Sequence, residues 1–288
     1  MAKQNGQIIL ILVLVMTVAL AIGISVIQRS LLDISSSSKV EQSSRAFSAA
    51  EAGLERALRQ NFTSDSSFQV ADLSNATAGV DIKANLPAAN QSLEYPPISK
   101  EEIAQVWLAD PVTLIKYYDQ PWLEIAWGMP NIQNAQERPA IEVTVIYSVA
   151  GAYQSKKFYF DSNSGRASTN GFQDVSANCS NSLPTISTTM GPNRVFYCRN
   201  SLSLSGITPT LILLRARILY SSTSQAFAVL PWGGSCGTNA CSLPPQARIV
   251  TSTGTAGETQ RKVQVFKLDK VVPFYFDYAI FSAGEITK

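Results

Sequence analysis

The stretch NGQIILILVLVMTVALAIGISVIQRS, Asn5 to Ser30, decides how the rest of the chain is read. From Ile8 to Ile27 only Thr17, Gly23 and Ser25 interrupt an otherwise apolar run. As a helix, those residues would extend roughly 30 Å, the thickness of one hydrocarbon core. Three readings compete. A secretory signal is one, with Ala19-Leu20-Ala21 as a small-x-small cleavage site before Ile22. The hydrophobicity runs straight on through Ile22, Ile24, Val26 and Ile27, where a signal peptide usually breaks. A plain anchor is the second, with Lys3 and the terminal amine cytoplasmic and everything after Arg29 outside. The third is a helix that lies in the membrane and then leaves it.

The next stretch, LLDISSSSKVEQSSRAFSAAEAGLERALRQ (Leu31–Gln60), separates these readings. No proline occurs before Pro87. Val40, Phe47, Ala50, Leu54 and Leu58 recur at helical spacing, which predicts a buried stripe. Glu55 and Arg59 add a favourable pair four residues apart. The run Ser35–Ser38 is a weak patch, because serine competes for backbone hydrogen bonds. The simplest expectation is one helix from 7 to 60, roughly 80 Å long, with 8–27 spanning a membrane and 28–60 amphipathic. The alternative is two helices broken at the serines. In either case Phe47, Ala50, Leu54 and Leu58 are expected to anchor the helix to a globular body.

That body reads as mainly antiparallel β. AIEVTVIYSVA (Ala140–Ala150) and YQSKKFYFD (Tyr153–Asp161), joined around Gly151, predict a hairpin. TLILLRARILY, QAFAVLP, QARIVTSTG and RKVQVFKLDKVVP follow as further strands, rich in Val, Ile and Phe. WLEIAWG (Trp122–Gly128) and VDIKA (Val80–Ala84) are shorter strand candidates. ANQSLEYPPISKEEI reads as a linker. Ser99 with Glu102 fits a capping box, so SKEEIAQVWLA reads as a helix start. The expected organisation is a leader at 1–6, the helix at 7–60, a mixed linker and α region at 61–119, and a β domain at 120–288. The fold class is α+β: a long N-terminal helix packed on a mainly antiparallel β domain.

Composition narrows the chemistry. The 288 residues carry a net charge of +2, with 15% charged residues and no histidine. The absence of a basic block argues against a nucleic-acid partner. Histidine-based acid–base catalysis and most zinc sites are excluded. Cys179, Cys198, Cys236 and Cys241 behind an export-type N-terminus read as disulfides, with the local pairs Cys179–Cys198 and Cys236–Cys241 favoured over other pairings or free thiols. Asp161, Asn163 and Gly165 in DSNSGR begin like a calcium loop, but Phe172 stands where an EF-hand needs an acid, so a turn is expected. WGGSCGTNAC lacks the ending of a phosphate loop. Glu101 with Glu102, and Asp269 with Asp277, are read as solvated acids rather than a hydrolase pair. The four tryptophans, Trp107, Trp122, Trp127 and Trp232, are expected mostly in the core. No catalytic residue, metal site or cofactor is expected, and the chain is read as non-enzymatic.

The short leader MAKQNG before QIILILVLVM resembles that of type IV pilins and pseudopilins, with a cut between Gly6 and Gln7 and methylation of the new terminus. RAFSAAEAGLERAL resembles the end of the N-terminal helix in PilX-like minor pilins, and VPFYFDYAIFSAGEI is similar to the tail of such assembly proteins. Two departures stand out. Gln7 replaces the usual aromatic or methionine, and Ile11 replaces the usual glutamate at the fifth mature position. That glutamate meets a neighbour's amine inside the filament, and a buried charge is tolerated only as a pair. The resemblance therefore implies a priming or tip subunit, like the K-type pseudopilin, that initiates or caps a pilus or secretion filament. Implied partners are other pilin subunits, prepilin peptidase, the membrane and the inner-membrane assembly platform. The chain would be single-pass with its N-terminus cytoplasmic, and later part of an extracellular pilus. A membrane-anchored adhesin or sugar-binding β domain is the alternative.

Overall fold

The computed structural model describes residues 5–60, 64–71, 75–89, 91–100, 102–207, 210–231, 242–268 and 270–273. The expected rod is present: α1 runs without interruption over Asn5–Arg59, 55 residues. The Ser35–Ser38 run stays helical, since each exposed serine costs only about 0.5 kcal/mol against alanine and helix is already formed on both sides. Arg56 and Arg59 in the last turn favour the helix dipole.

Among the described residues fifteen strands follow: β1 (Ser66–Val70), β2 (Thr77–Leu86), β3 (Leu93–Ile98), β4 (Ile103–Trp107), β5 (Trp122–Trp127), β6 (Ala140–Val149), β7 (Ala152–Asp161), β8 (Gln173–Asp174), β9 (Ile186–Thr188), β10 (Gly191–Arg194), β11 (Cys198–Ser203), β12 (Thr210–Leu219), β13 (Gln225–Pro231), β14 (Ala247–Ala256) and β15 (Thr259–Leu268). A short helix, α2 (Ser164–Asn170), lies between β7 and β8. The chain is mainly antiparallel: the pairings of β3, β4, β5, β6, β9, β10, β11, β12 and β13 are antiparallel, and β7, antiparallel to β6, pairs in parallel with β8.

Two compact units divide the chain. The first holds α1 with Ser67–Ile82 and Val250–Gln264, drawn from a sheet of order β1-β2-β14-β15. Along β2 the burial alternates strictly, so Ala78, Val80 and Ile82 point inward, the pattern of a sheet with one covered face.

The second unit holds Lys83–Ile249 and its flanking pieces. Its two larger sheets, ordered β11-β5-β13-β3 and β4-β12-β6-β7-β8, share a core. Leu123, Ile125 and Trp127 from one meet Val143, Val145 and Phe160 from the other. The Trp127 and Phe160 rings lie 6.3 Å apart, and the indole Nε1 donates to the Pro139 carbonyl at 3.1 Å, which satisfies the polar end of a buried ring. The β6–β7 hairpin turns at Ala150 and Gly151, both at positive φ, as the right-handed strand twist requires of a two-residue loop.

The region 61–119 departs from expectation. Its described residues carry four strands, of which only Val80–Ala84 within β2 was expected, in place of a linker and a helix. Ser99 and Glu102 make one bond of the capping box, the Ser99 amide donating to Glu102 Oε2 at 2.8 Å, while the Glu102 amide donates to the Ser99 backbone carbonyl at 3.1 Å, a turn bond. The result is a turn between β3 and β4, because Ile103–Trp107 find pairing partners in β12. Tertiary pairing overrides a local signal worth about 1 kcal/mol. Pro96 and Pro97 sit inside β3, an edge strand whose ladder with β13 shifts register between Tyr95 and Ile98, and edges and bulges are where proline is tolerated in a sheet.

Candidate functional site

The N-terminal half of α1 is apolar and uncovered. No charged residue occurs between Asn5 and Gln28. Every side chain from Ile9 to Glu41 is exposed, including Leu10, Met16, Leu20 and Leu32, all near two thirds exposed. Thr17 folds its hydroxyl back onto the Leu14 carbonyl at 2.9 Å, which hides a polar group from an apolar environment. The helix is long and apolar enough to cross a membrane. Gly6 and Gln7 lie within its first turns, and Ile11 is 57% exposed.

The C-terminal half is docked by small side chains. Ala46, Ala49, Ala50, Gly53 and Ala57 form its buried stripe. Facing them within the same unit are Ala78, Val80, Ser252, Gly254 and Ala256. The approach is close. A Cβ on Gly254 would collide with the Ala46 carbonyl oxygen and stand 2.6 Å from the Ala50 amide nitrogen. A Cβ on Gly53 would stand 2.5 Å from Ser252 Oγ and 3.0 Å from Ala78 Cβ. Neither site has room for a side chain, so helix backbone and strand β14 touch directly.

Polar clamps flank the stripe. Arg261 Nε donates to Ser43 Oγ at 2.8 Å, the Thr259 hydroxyl donates to Gln42 Oε1 at 3.4 Å, and the Arg56 guanidinium lies over the Phe68 ring at 5.9 Å. Of the four expected anchors, Ala50 is fully buried, Leu54 and Leu58 are half-buried, and Phe47 is 46% exposed. The interface therefore runs along the alanines and glycine beside the large residues. Weighting by side-chain size points to the wrong edge of the stripe, because a close backbone approach selects for small residues. The signal was present in the sequence as AxxAAxxGxxxA from Ala46 to Ala57.

The remaining candidates resolve into structural roles. Cys179 and Cys198 form a disulfide at 2.04 Å. Between them the β9–β10 segment covers the outer face of one sheet, with Phe196 and Ile186 on Ala126, Ala226 and Ala228. Arg194 clamps the buried Glu94 carboxylate at 2.6 Å. Cys236, Cys241, Trp232, Glu101, Asp269 and Asp277 lie outside the described residues.

Asp161 ends β7, and the turn expected after it is the start of α2, capped by Asn163. The buried Asp161 carboxylate accepts from Arg166 Nη2 at 2.7 Å, the Asn163 amide at 2.9 Å and Asn170 Nδ2 at 2.9 Å. Burial pushes its pKa up, but these partners outweigh that and hold it below the usual carboxylate range. With its lone pairs taken, Asp161 is not available to a cation. No cluster of metal-binding side chains occurs among the described residues. Trp107 and Trp127 are buried and Trp122 is 42% exposed.

Neither the protein-family models nor the curated proteins give a significant match to this sequence.

Proposed function

We propose that the chain is a structural minor pilin, initiating or capping a type IV pilus or related secretion filament. One observation carries this reading: a single unbroken helix whose large apolar residues are all uncovered in one half and whose other half is fixed to its own β-sheet. A bilayer covers such a rod before assembly, and sister rods cover it afterwards. Both environments demand a helix whose own backbone bonds satisfy its polar groups. The rigid docking of Ala46–Ala57 supports the same use, since a subunit placed in a filament through its helix must carry its globular part in a fixed pose.

The position of Ile11 supports an end role. Without a carboxylate there, the subunit has no charge to meet the amine of a neighbour above it. The reading assigns no catalysis. It assigns other pilin subunits, prepilin peptidase, the membrane and the assembly platform as partners, with a cytoplasmic N-terminus before assembly and an extracellular position afterwards.

The mass of the mature N-terminus tests it. A start at Gln7, carrying an added methyl, is expected. A start at Ile22 would mean export by a cleaved signal, and an intact Met1 would mean a permanent anchor bearing an adhesin-like β domain. Either result would overturn the pilin reading.

A further inference from the structure

Outside α1, ten large apolar side chains are exposed among the described residues, and five of them, Val112, Leu114, Ile115, Tyr117 and Trp122, crowd into one short stretch of the second unit. Four lie in the connection between β4 and β5, and Trp122 opens β5. The base of this loop is fixed. Ala109 bridges Lys116 across it, and the buried Tyr118 donates its amide to the Leu108 carbonyl at 2.8 Å and its hydroxyl to the Trp122 carbonyl. Beyond the bridge stand residues 111–115, with Val112 71% and Ile115 68% exposed.

The amides of this tip are spent within the loop. Pro111 has no N–H. The amides of Val112 and Thr113 donate to Asp110 Oδ1 at 2.9 and 2.7 Å, that of Leu114 to the Asp110 carbonyl at 2.9 Å, and that of Ile115 to Thr113 Oγ1 at 3.4 Å. The Thr113 hydroxyl donates to Asp110 Oδ1 at 3.0 Å. An amide that enters an apolar medium needs its partner inside the chain. Leu114 holds a φ of +57°, which a bulky side chain rarely adopts, so this turn is kept against a backbone cost. The side chains are also layered. Those beyond the bridge are aliphatic, whereas Lys116, Tyr117 and Trp122 stand at the bridge or behind it. The same order occurs at a bilayer surface, where Tyr and Trp rings sit among the headgroups and lysine reaches outward. From Asp110 to Trp122 one lysine stands against two aspartates, a net charge of −1, so nothing in the loop draws it to anionic lipid.

We propose that this loop docks on a zwitterionic bilayer surface, with Val112, Leu114 and Ile115 entering its apolar boundary and Lys116, Tyr117 and Trp122 lying at the headgroups. The turn is already closed by its own hydrogen bonds, so insertion orders little that was free. Lipid is favoured over a protein partner, which would find at the tip no amide left to pair with. The contact is separate from the span assigned to α1 and does not depend on the filament reading.

The full chain tests this, with α1 held in phosphatidylcholine nanodiscs and the fluorescent amino acid Anap in place of Ile115. Doxyl-labelled phosphatidylcholine is placed either in the nanodisc or in added phosphatidylcholine vesicles. Quenching of about twofold or more is expected from one of these bilayers, and none when the probe instead replaces Tyr153, exposed on β7. Val112→Asp is expected to reduce the quenched fraction about tenfold, with the melting midpoint unchanged because the side chain it replaces is exposed. No quenching from either bilayer overturns the proposal. So does quenching that Val112→Asp leaves intact, or a concentration-dependent pairing of nanodiscs that this variant abolishes, which would make the occupant a second copy. Should the variant fail to fold, the contrast between probes at 115 and 153 decides the matter.

Discussion

The two halves of α1 share one backbone geometry and solve opposite problems. From Ile9 to Ile34 the helix carries leucine, isoleucine and valine on every side, none of them covered by the rest of the chain. From Ala46 to Ala57 its buried face is alanine and glycine, and the sheet lies against the helix backbone. Large apolar residues give affinity for any apolar surroundings and dictate no single partner. Small residues bury less area, but they fix distance and orientation, because the backbones themselves make the contact. The first half is thus suited to exchanging environments, and the second to holding one.

The comparison is broken most forcefully by placing a charge in the uncovered half. Val18→Asp is expected to oppose membrane insertion by about 3 kcal/mol, read as the fraction of chain resisting alkaline extraction from membranes. In water the same change removes no contact within the chain, since Val18 is 52% exposed. Loss of folding of the β domain would contradict the division between the halves.

Gly254→Leu attacks the docked half. The added side chain must enter space held by the Ala46 carbonyl and the Ala50 amide, and overpacking of this kind costs about 1–3 kcal/mol. The expected outcome is a lower unfolding midpoint and faster proteolysis near Ala46–Ala57. An unchanged midpoint would show that the close approach is not what holds the helix.

Replacing Ser35–Ser38 by alanine sharpens the join between the halves. At about 0.5 kcal/mol per exposed serine, the four changes should add about 2 kcal/mol to local helix stability. Slower amide exchange confined to residues 33–40 is expected, with little change in the β domain.

The smallest effect is expected at Phe47. A side chain 46% exposed beside the stripe contributes little to the isolated chain, so Phe47→Ala should change stability by less than about 0.5 kcal/mol. A large loss would restore it to the role that hydrophobic spacing suggests. If Phe47 serves instead in contacts with other subunits, the variant should stay folded while filament assembly falls.

Much of the fold was legible because strands and helix here follow their hydrophobic periods. The β6–β7 hairpin, β12, β13, β14 and β15 all carry branched and aromatic residues at strand spacing, and their bounds lie close to those read from sequence. Within residues 66–107 only Val80–Ala84, inside β2, was read as strand. Ser99 and Glu102 make one of the two bonds of a helix-start capping box, yet β4 forms because β12, far along the sequence, offers it a ladder. In the docking site Ala50 was found, whereas Ala46, Ala49, Gly53 and their partner Gly254 were missed. A missing Cβ matters only opposite a backbone, and the opposing backbone comes from the other end of the chain.

By itself the sequence determined that a rod of about 55 residues would form and that its front would be apolar on all sides, because both follow from local composition and the absence of proline. Tertiary structure alone decided which face of the rear half is buried and how the backbone of Val272 is held by Gln105 and Arg215. Those outcomes depend on surfaces distant in sequence meeting in space, and a one-dimensional pattern carries no such distances.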